Sequence, residues 1–168
     1  KPIQHGRRDA AMRLSTAGRY ALRAMVDLAR HEGEGPILRQ EIADRQAISA
    51  DYLAQLFVKL RRAGLVNSVM GPGGGYVLAR PAPEIRAGDV LRAVEEPLSL
   101  TQCLEEGQRS RCPRAADCAT RVLWERMGRA MIAVLDSVTL AELSGPAGEW
   151  ECDFGLSTGT EQGVEVFG

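Results

Sequence analysis

Three of the four cysteines of this 168-residue chain, Cys103, Cys112 and Cys118, fall in one short basic segment. Eight residues separate the first pair and five the second. Thiolates gathered in a loop bind metal. Arg109, Arg111, Arg114 and Arg121 stand among the sulfurs, and their positive charge favours the thiolate, the form that ligates. Pro113 stiffens the segment, and the fourth cysteine, Cys152, lies far off in a tail and reads first as a free thiol. The chemistry on offer is a three-cysteine metal site able to report metal status to the rest of the chain.

The bulk properties narrow the setting. No apolar run approaches the roughly 20 residues a bilayer span requires, so no membrane role is expected. The opening KPIQHGRRDAA lacks the apolar core of a secretory signal. Residues 1–11 read as a disordered leader, native or appended, with Met12 as the natural start. Clustered cysteines without a secretion signal point to a reducing cytoplasm and to metal, not to a disulfide frame. The net charge of −1 conceals an asymmetry: residues 12–80 hold ten Lys and Arg against six Asp and Glu, and 81–168 hold eight against fifteen. A basic amino-terminal part fits a surface that faces phosphate, although chance would distribute charge this way on some soluble proteins too. No nucleophile–base pair is visible, there are two histidines, and the glycine run at 71–75 lacks the Lys and helix of a phosphate-cradling loop. Catalysis is not expected.

The elements that would position these groups follow from periodicity. Tyr20, Leu22, Met25, Val26, Leu28 and Ala29 recur at helical spacing from Thr16 to about Arg30, and Gly33, Gly35 and Pro36 break the pattern. A short helix is expected at about 39–45, then a tight connection to Ser49, a good N-cap. Tyr52, Leu53, Leu56, Phe57 and Leu60 form a second apolar stripe that stops at Gly64, with Leu65 placed for a Schellman contact. Two helices joined by a short turn, over about 39–62, read as helix-turn-helix. Two β-prone runs at 66–70 and 76–79 flank Gly71-Pro72-Gly73-Gly74-Gly75, a hairpin that would serve as the wing of a winged helix. Its glycines let backbone approach a groove where side chains would obstruct; the blander reading is a flexible turn.

Beyond it, Pro81 and Pro83 suggest a hinge, 89–96 a short connector helix ended by Pro97, and the cysteine segment runs to Cys118. Leu123, Met127, Ala130, Met131, Val134, Leu135 and Val138 then mark one long helix over 119–143. An isolated helix cannot bury such a stripe, so it must pack on its own domain, on a second copy, or on both. The Gly-, Glu-, Ser- and Thr-rich residues 144–168 are expected to be disordered. The expected fold is mainly α: a winged helix-turn-helix domain at 12–80, a connector and cysteine loop at 81–118, and a long dimerisation helix.

MRLSTAGRYALRAM at 12–25, ISADYLAQLFVKLRRAGLV at 48–66, MGPGGGYVLAR at 70–80 and TLAEL at 139–143 closely resemble the IscR-type family of bacterial regulators. Its members are homodimeric winged-helix transcription factors, many of which hold an iron–sulfur cluster. The resemblance spans residues 12–143 and implies promoter DNA as the partner, a homodimer, and Cys103, Cys112 and Cys118 as cluster ligands. It also implies that Ser49, Tyr52 and Gln55 meet DNA in the major groove, where a Gln amide pairs bidentately with adenine; Tyr52 reads equally as partly core. Lys59, Arg61 and Arg62 would sit on phosphates, and Gly71, Pro72, Gly73 and Gly74 would bring the wing against the duplex.

This chain departs from the family's pattern at several positions. The interval from Cys103 to Cys112 is longer than in the family. Met70 stands where the family places an arginine for the minor groove, and Ala54 where it has a glutamate. Arg121 occupies the position of the family's histidine ligand, and a guanidinium stays protonated with no lone pair to give. The fourth ligand is therefore open among Asp117, Glu105, Glu106, Glu125, His31 of the partner subunit, Cys152 and solvent. His31 and His5 read first as surface residues. Three thiolates suit 2Fe–2S, or 4Fe–4S, with one atypical ligand; zinc competes, but the intervals lack a C-x-x-C knuckle. The expected function is a cytoplasmic regulator whose promoter binding is controlled by the cluster, as a sensor of cluster supply or of redox or nitrosative stress. The rival is a cluster-free regulator of the same fold, controlled by thiol oxidation or a partner protein. The target genes, the cluster type and the sign of regulation, repressor or activator, are not legible.

Overall fold

The computed structural model describes residues 14–96, 98, 101, 104 and 117–146. Helix α1, Thr16–Arg30, starts at Ser15, whose hydroxyl accepts from the Gly18 N–H at 3.0 Å. Its apolar stripe of Ala21, Ala24, Met25 and Leu28 is buried, as the 3.6-residue period requires. Helices α2, Arg39–Gln46, and α3, Ala50–Arg62, follow as a helix-turn-helix. Ile42 and Ala43 of α2 and Leu53, Leu56, Phe57 and Leu60 of α3 close the core over α1.

Both helices stop in the same backbone motif. Ile48 N–H donates to Ala43 C=O and Ala47 N–H to Asp44 C=O; Leu65 donates to Leu60 and Gly64 to Arg61. This is the paired arrangement that leaves one residue left-handed. At α3 that residue is Gly64, with φ of 70°; at α2 it is Ala47, with φ of 51°.

Strands β1, Val66–Val69, and β2, Gly75–Leu78, form an antiparallel hairpin in which Val66 faces Leu78 and Val69 faces Gly75. The first strand ends one residue earlier than expected and the second is shifted back by one, because Gly75 pairs with Val69 and Met70 is left 90 % exposed. Ile37 and Tyr76 exchange two backbone hydrogen bonds of 3.0 and 2.9 Å, which fasten the hairpin's base to the chain entering α2.

The expected hinge is a packed corner instead. Ala82–Glu84 make a short 3-10 turn, Ala82 and Ile85 are buried, and the Ala82 N–H donates to the Glu32 carboxylate at 3.3 Å. The connector helix α4 spans Ala87–Ala93, not 89–96, because the Asp89 carboxylate receives the Arg86 N–H at 3.1 Å and starts the helix earlier. It ends earlier as well, where Glu95 turns left-handed with φ of 62°.

The single helix expected over 119–143 is two helices: α5, Arg121–Ser137, and α6, Leu140–Ser144. Val138 is extended and Thr139 caps α6, exchanging hydrogen bonds with Glu142. The break is fixed from outside, since Ala87 N–H donates to Val138 C=O and Leu140 N–H to Ile85 C=O, both at 2.9 Å. Helix α6 then returns to the amino-terminal core with Leu140 fully buried, and Arg30 of α1 donates to Ser144 C=O at 3.3 Å. Residues 1–11, the span holding Cys103 and Cys112, Pro97, and the tail with Cys152 lie outside the described residues.

Candidate nucleic-acid interface and metal centre

One buried acid ties the helix-turn-helix to α1. Asp27 of α1 is 3 % exposed and receives Arg45 through Nε at 3.0 Å and Nη2 at 2.7 Å, with Gln46 Nε2 at 2.9 Å. Burial pushes the Asp27 carboxyl up, but the hydrogen bonds from Arg45 and Gln46 and the charge of Arg45 outweigh it and hold the group below its ordinary value. Arg23 adds a hydrogen bond to the Gln46 carbonyl. Helix α2 is thus clamped to α1 by its last turn, and α3 is presented from a rigid base.

On α3 the residues expected to meet DNA separate by role. Ser49 and Gln55 are exposed. The Ser49 hydroxyl accepts from the Tyr52 N–H at 3.3 Å, so it caps the helix while keeping capacity for a further bond. Tyr52 is half-buried, edge-on to Tyr20 at 6.0 Å between ring centres, which bears out its partly structural reading. Arg62 is exposed, and Arg61 reaches the Ser68 hydroxyl of β1 at 3.4 Å. Lys59 forms an ion pair with Glu95.

The recognition helix and wing are joined by stacked rings. Phe57 of α3 lies on Tyr76 of β2 with centres 4.2 Å apart and planes 9° from parallel. At the tip, Gly71 and Gly73 have φ of 102° and 73°, conformations a side chain resists. The Gly74 N–H closes the turn onto Gly71 C=O at 2.9 Å. The tip is therefore a shaped loop with exposed Pro72 and Met70.

The cysteine segment is described at its two ends. At the near end, Glu96 is 8 % exposed and receives the Ser15 N–H at 2.7 Å and the Ser15 hydroxyl. At the far end, half-buried Cys118 lies just ahead of α5, its Sγ 3.4 Å from Thr120 Oγ1. Arg121 donates through Nε to Glu125 Oε1 at 2.7 Å, so this carboxylate, one of the candidate fourth ligands, is engaged by the residue standing at the histidine position. The imidazole of His31 has Nδ1 2.7 Å from the Asp27 carbonyl oxygen and caps its own helix. Among the described residues no three His, Cys, Asp or Glu side chains gather as a metal site. By donor chemistry the set fits an iron–sulfur group through its three thiolates and leaves the fourth position open.

Sequence reasoning missed the carboxylates that position these elements: Asp27, Glu95 and Glu96. Asp27 was detectable as an acid between Met25 and Leu28 in an apolar stripe. The two glutamates carried no such signal, because their partners lie 36 and 81 residues away in sequence.

Residues 14–146 match the Rrf2 family of iron-dependent transcriptional regulators. The chain belongs to that family. It is 46 % identical over 132 residues to the HTH-type transcriptional regulator IscR of Serratia proteamaculans, covering 79 % of each protein. Among solved structures it is similar to the global cysteine regulator CymR of B. subtilis, at TM-score 0.66 and 41 % identity over 80 % of this chain and 97 % of that one. It is also similar to T. potens IscR, at TM-score 0.64 and 41 % identity over 79 % and 86 %. This Rrf2-family protein is a DNA-binding transcriptional regulator and not an enzyme. Among the described residues no helix is long and apolar enough to cross a membrane.

Proposed function

We propose that this regulator binds operator DNA as a homodimer and that an iron–sulfur cluster held by Cys103, Cys112 and Cys118 controls that binding. The observation that carries the reading is the attachment of the cysteine segment at both ends: to the start of α1 through Glu96, and to the start of α5 through Cys118. In sequence the segment thus joins the DNA-binding unit to the helix best suited to pair subunits. The likeness to IscR proteins over most of the chain supports the same reading.

Each group has a defined task. Ser49, Tyr52 and Gln55 face base edges, Lys59, Arg61 and Arg62 neutralise phosphates, and Gly71, Pro72, Gly73 and Gly74 bring the wing backbone to the duplex. The dimer forms through α5, on which Val122, Leu123, Met127 and Ile132 are 60, 52, 40 and 37 % exposed in the single chain. A bound 2Fe–2S or 4Fe–4S group supplies redox sensitivity and cross-links the cysteine segment. The residues do the rest: three thiolates ligate, the surrounding arginines offset their charge, and Glu96 carries the segment's position to α1.

A second reading is favoured by the likeness to a cysteine regulator of the same fold: control without a cluster, through thiol oxidation or a partner protein. Iron and acid-labile sulfide measured on protein purified without oxygen separate the two. Brown protein with both elements in stoichiometric amount is expected. Colourless protein that resists reconstitution yet binds DNA would leave the second reading standing.

A further inference from the structure

The connector helix α4 ends in the same motif as α2 and α3, with a left-handed residue after the last turn. At α4 the Glu96 N–H donates to Leu91 C=O and the Glu95 N–H to Arg92 C=O, both at 3.0 Å. The left-handed position is filled by Glu95, with φ of 62°. Glycine is the ordinary occupant, because any Cβ crowds the backbone there. A glutamate at this place brings a carboxylate to the end of α4.

The Glu95 carboxylate meets the ammonium of Lys59 on the recognition helix. The hydrogen bond and charge of Lys59, with a weaker contribution from Arg62, hold the Glu95 carboxyl below its ordinary value. Lys59 is one of the cations read as a phosphate contact, so in DNA-free protein an internal anion engages the charge that a phosphate would otherwise take. The next residue, Glu96, is buried against Ser15 and Gly18, where an added Cβ on Gly18 would lie 2.7 Å from its Oε2. That contact fixes where Glu95 stands.

We propose that Glu95 is an internal competitor for DNA phosphate at Lys59, placed by the left-handed stop of α4 at the mouth of the cysteine segment. The proposal rests on the phosphate role of Lys59. DNA phosphate reaches Lys59 only by displacing the Glu95 carboxylate from it. By linkage, whatever weakens the Glu95 contact favours phosphate at Lys59, and phosphate at Lys59 weakens the Glu95 contact to the same extent.

The test is a double-mutant cycle on DNA affinity. The probe is a fluorescent duplex of about 30 base pairs, long enough for two half-sites, selected from a random pool with the unmodified full chain. Lys59→Ala should weaken binding and reduce the slope of log affinity against log salt by about two, one for each subunit of the proposed dimer. Glu95→Gln, isosteric and exposed, should tighten binding roughly two- to five-fold per subunit, the range of an exposed ion pair, and should have no effect in the Lys59→Ala background. If Lys59→Ala changes neither affinity nor slope, the phosphate role of Lys59 fails and the proposal with it. If Lys59→Ala weakens binding but Glu95→Gln changes nothing, or tightens binding equally with Lys59 absent, the competitor role alone is overturned.

Discussion

Glu96 and Ser15, 81 residues apart in sequence, share the amino end of α1: the carboxylate receives both the backbone N–H and the hydroxyl of the serine. The same hydroxyl accepts from the Gly18 N–H, so one chain of hydrogen bonds runs from the mouth of the cysteine segment into the first helix. A carboxylate also suits the positive end of a helix. Glu96→Ala leaves these donors without their partner in a nearly buried site and should cost about 2 kcal/mol. Ser15→Ala should cost about 1 kcal/mol. Because the two act through one network, the double variant should cost less than the sum, as read by urea denaturation.

Asp27 should govern stability in acid. Its carboxyl is held below the ordinary 3.8 despite burial, because Arg45 and Gln46 hydrogen-bond the charged form. A group depressed on folding stabilises the protein above its unfolded value, and that contribution is lost as pH falls through the folded value. The loss should therefore fall below about pH 4, with no effect between pH 5 and 8. Asp27→Asn should flatten this acid limb and cost roughly 2–3 kcal/mol at neutral pH by leaving Arg45 without its charge partner, discounted because that arginine is part-exposed. Thermal melts from pH 3 to 7 check both, and an unchanged acid limb in the variant would contradict the assignment.

The left-handed stops of α2 and α3 predict opposite effects of reverse substitutions. Gly64 has open space around its missing Cβ, so Gly64→Ala should destabilise by about 1 kcal/mol through backbone conformation alone. Ala47, exposed with φ of 51°, should gain about 0.5–1 kcal/mol as Ala47→Gly. Paired chemical denaturation curves give both signs.

The proposed dimerisation through α5 predicts a separation of folding from association. Leu123 and Met127 are exposed in the single chain, so Leu123→Glu with Met127→Glu should leave the amino-terminal core intact. The dimer should become a monomer with unchanged helical circular dichroism, as read by analytical ultracentrifugation. A double variant that still sediments as a dimer would move the interface elsewhere.

Much of the helix-turn-helix was legible because local signals and the fold agree there. Ser49, the apolar stripe from Leu53 to Leu60, Gly64 and the buried Leu65 each announce one feature of α3, and each feature is present. The carboxy-terminal part was less legible because its determinants are long-range. The heptad-like stripe ran on through Val138, yet hydrogen bonds from Ala87 and Leu140, the latter to Ile85, stop the helix there. Periodicity reports which faces are apolar and is silent about a backbone captured by a distant segment. Lys59 shows the same limit: its place on an exposed helix face was readable, and its pairing with Glu95 was not.

The central claim is that the state of the cysteine segment sets the affinity for DNA. The most direct measurement is the affinity of anaerobically purified, iron-loaded protein for the selected duplex, compared with the same protein after chelation and with Cys118→Ser. The account predicts that loaded protein differs from both others by at least about five-fold at fixed salt, the lower end of ordinary allosteric coupling. Equal affinity in all three, with iron and sulfide confirmed in the first, would contradict it.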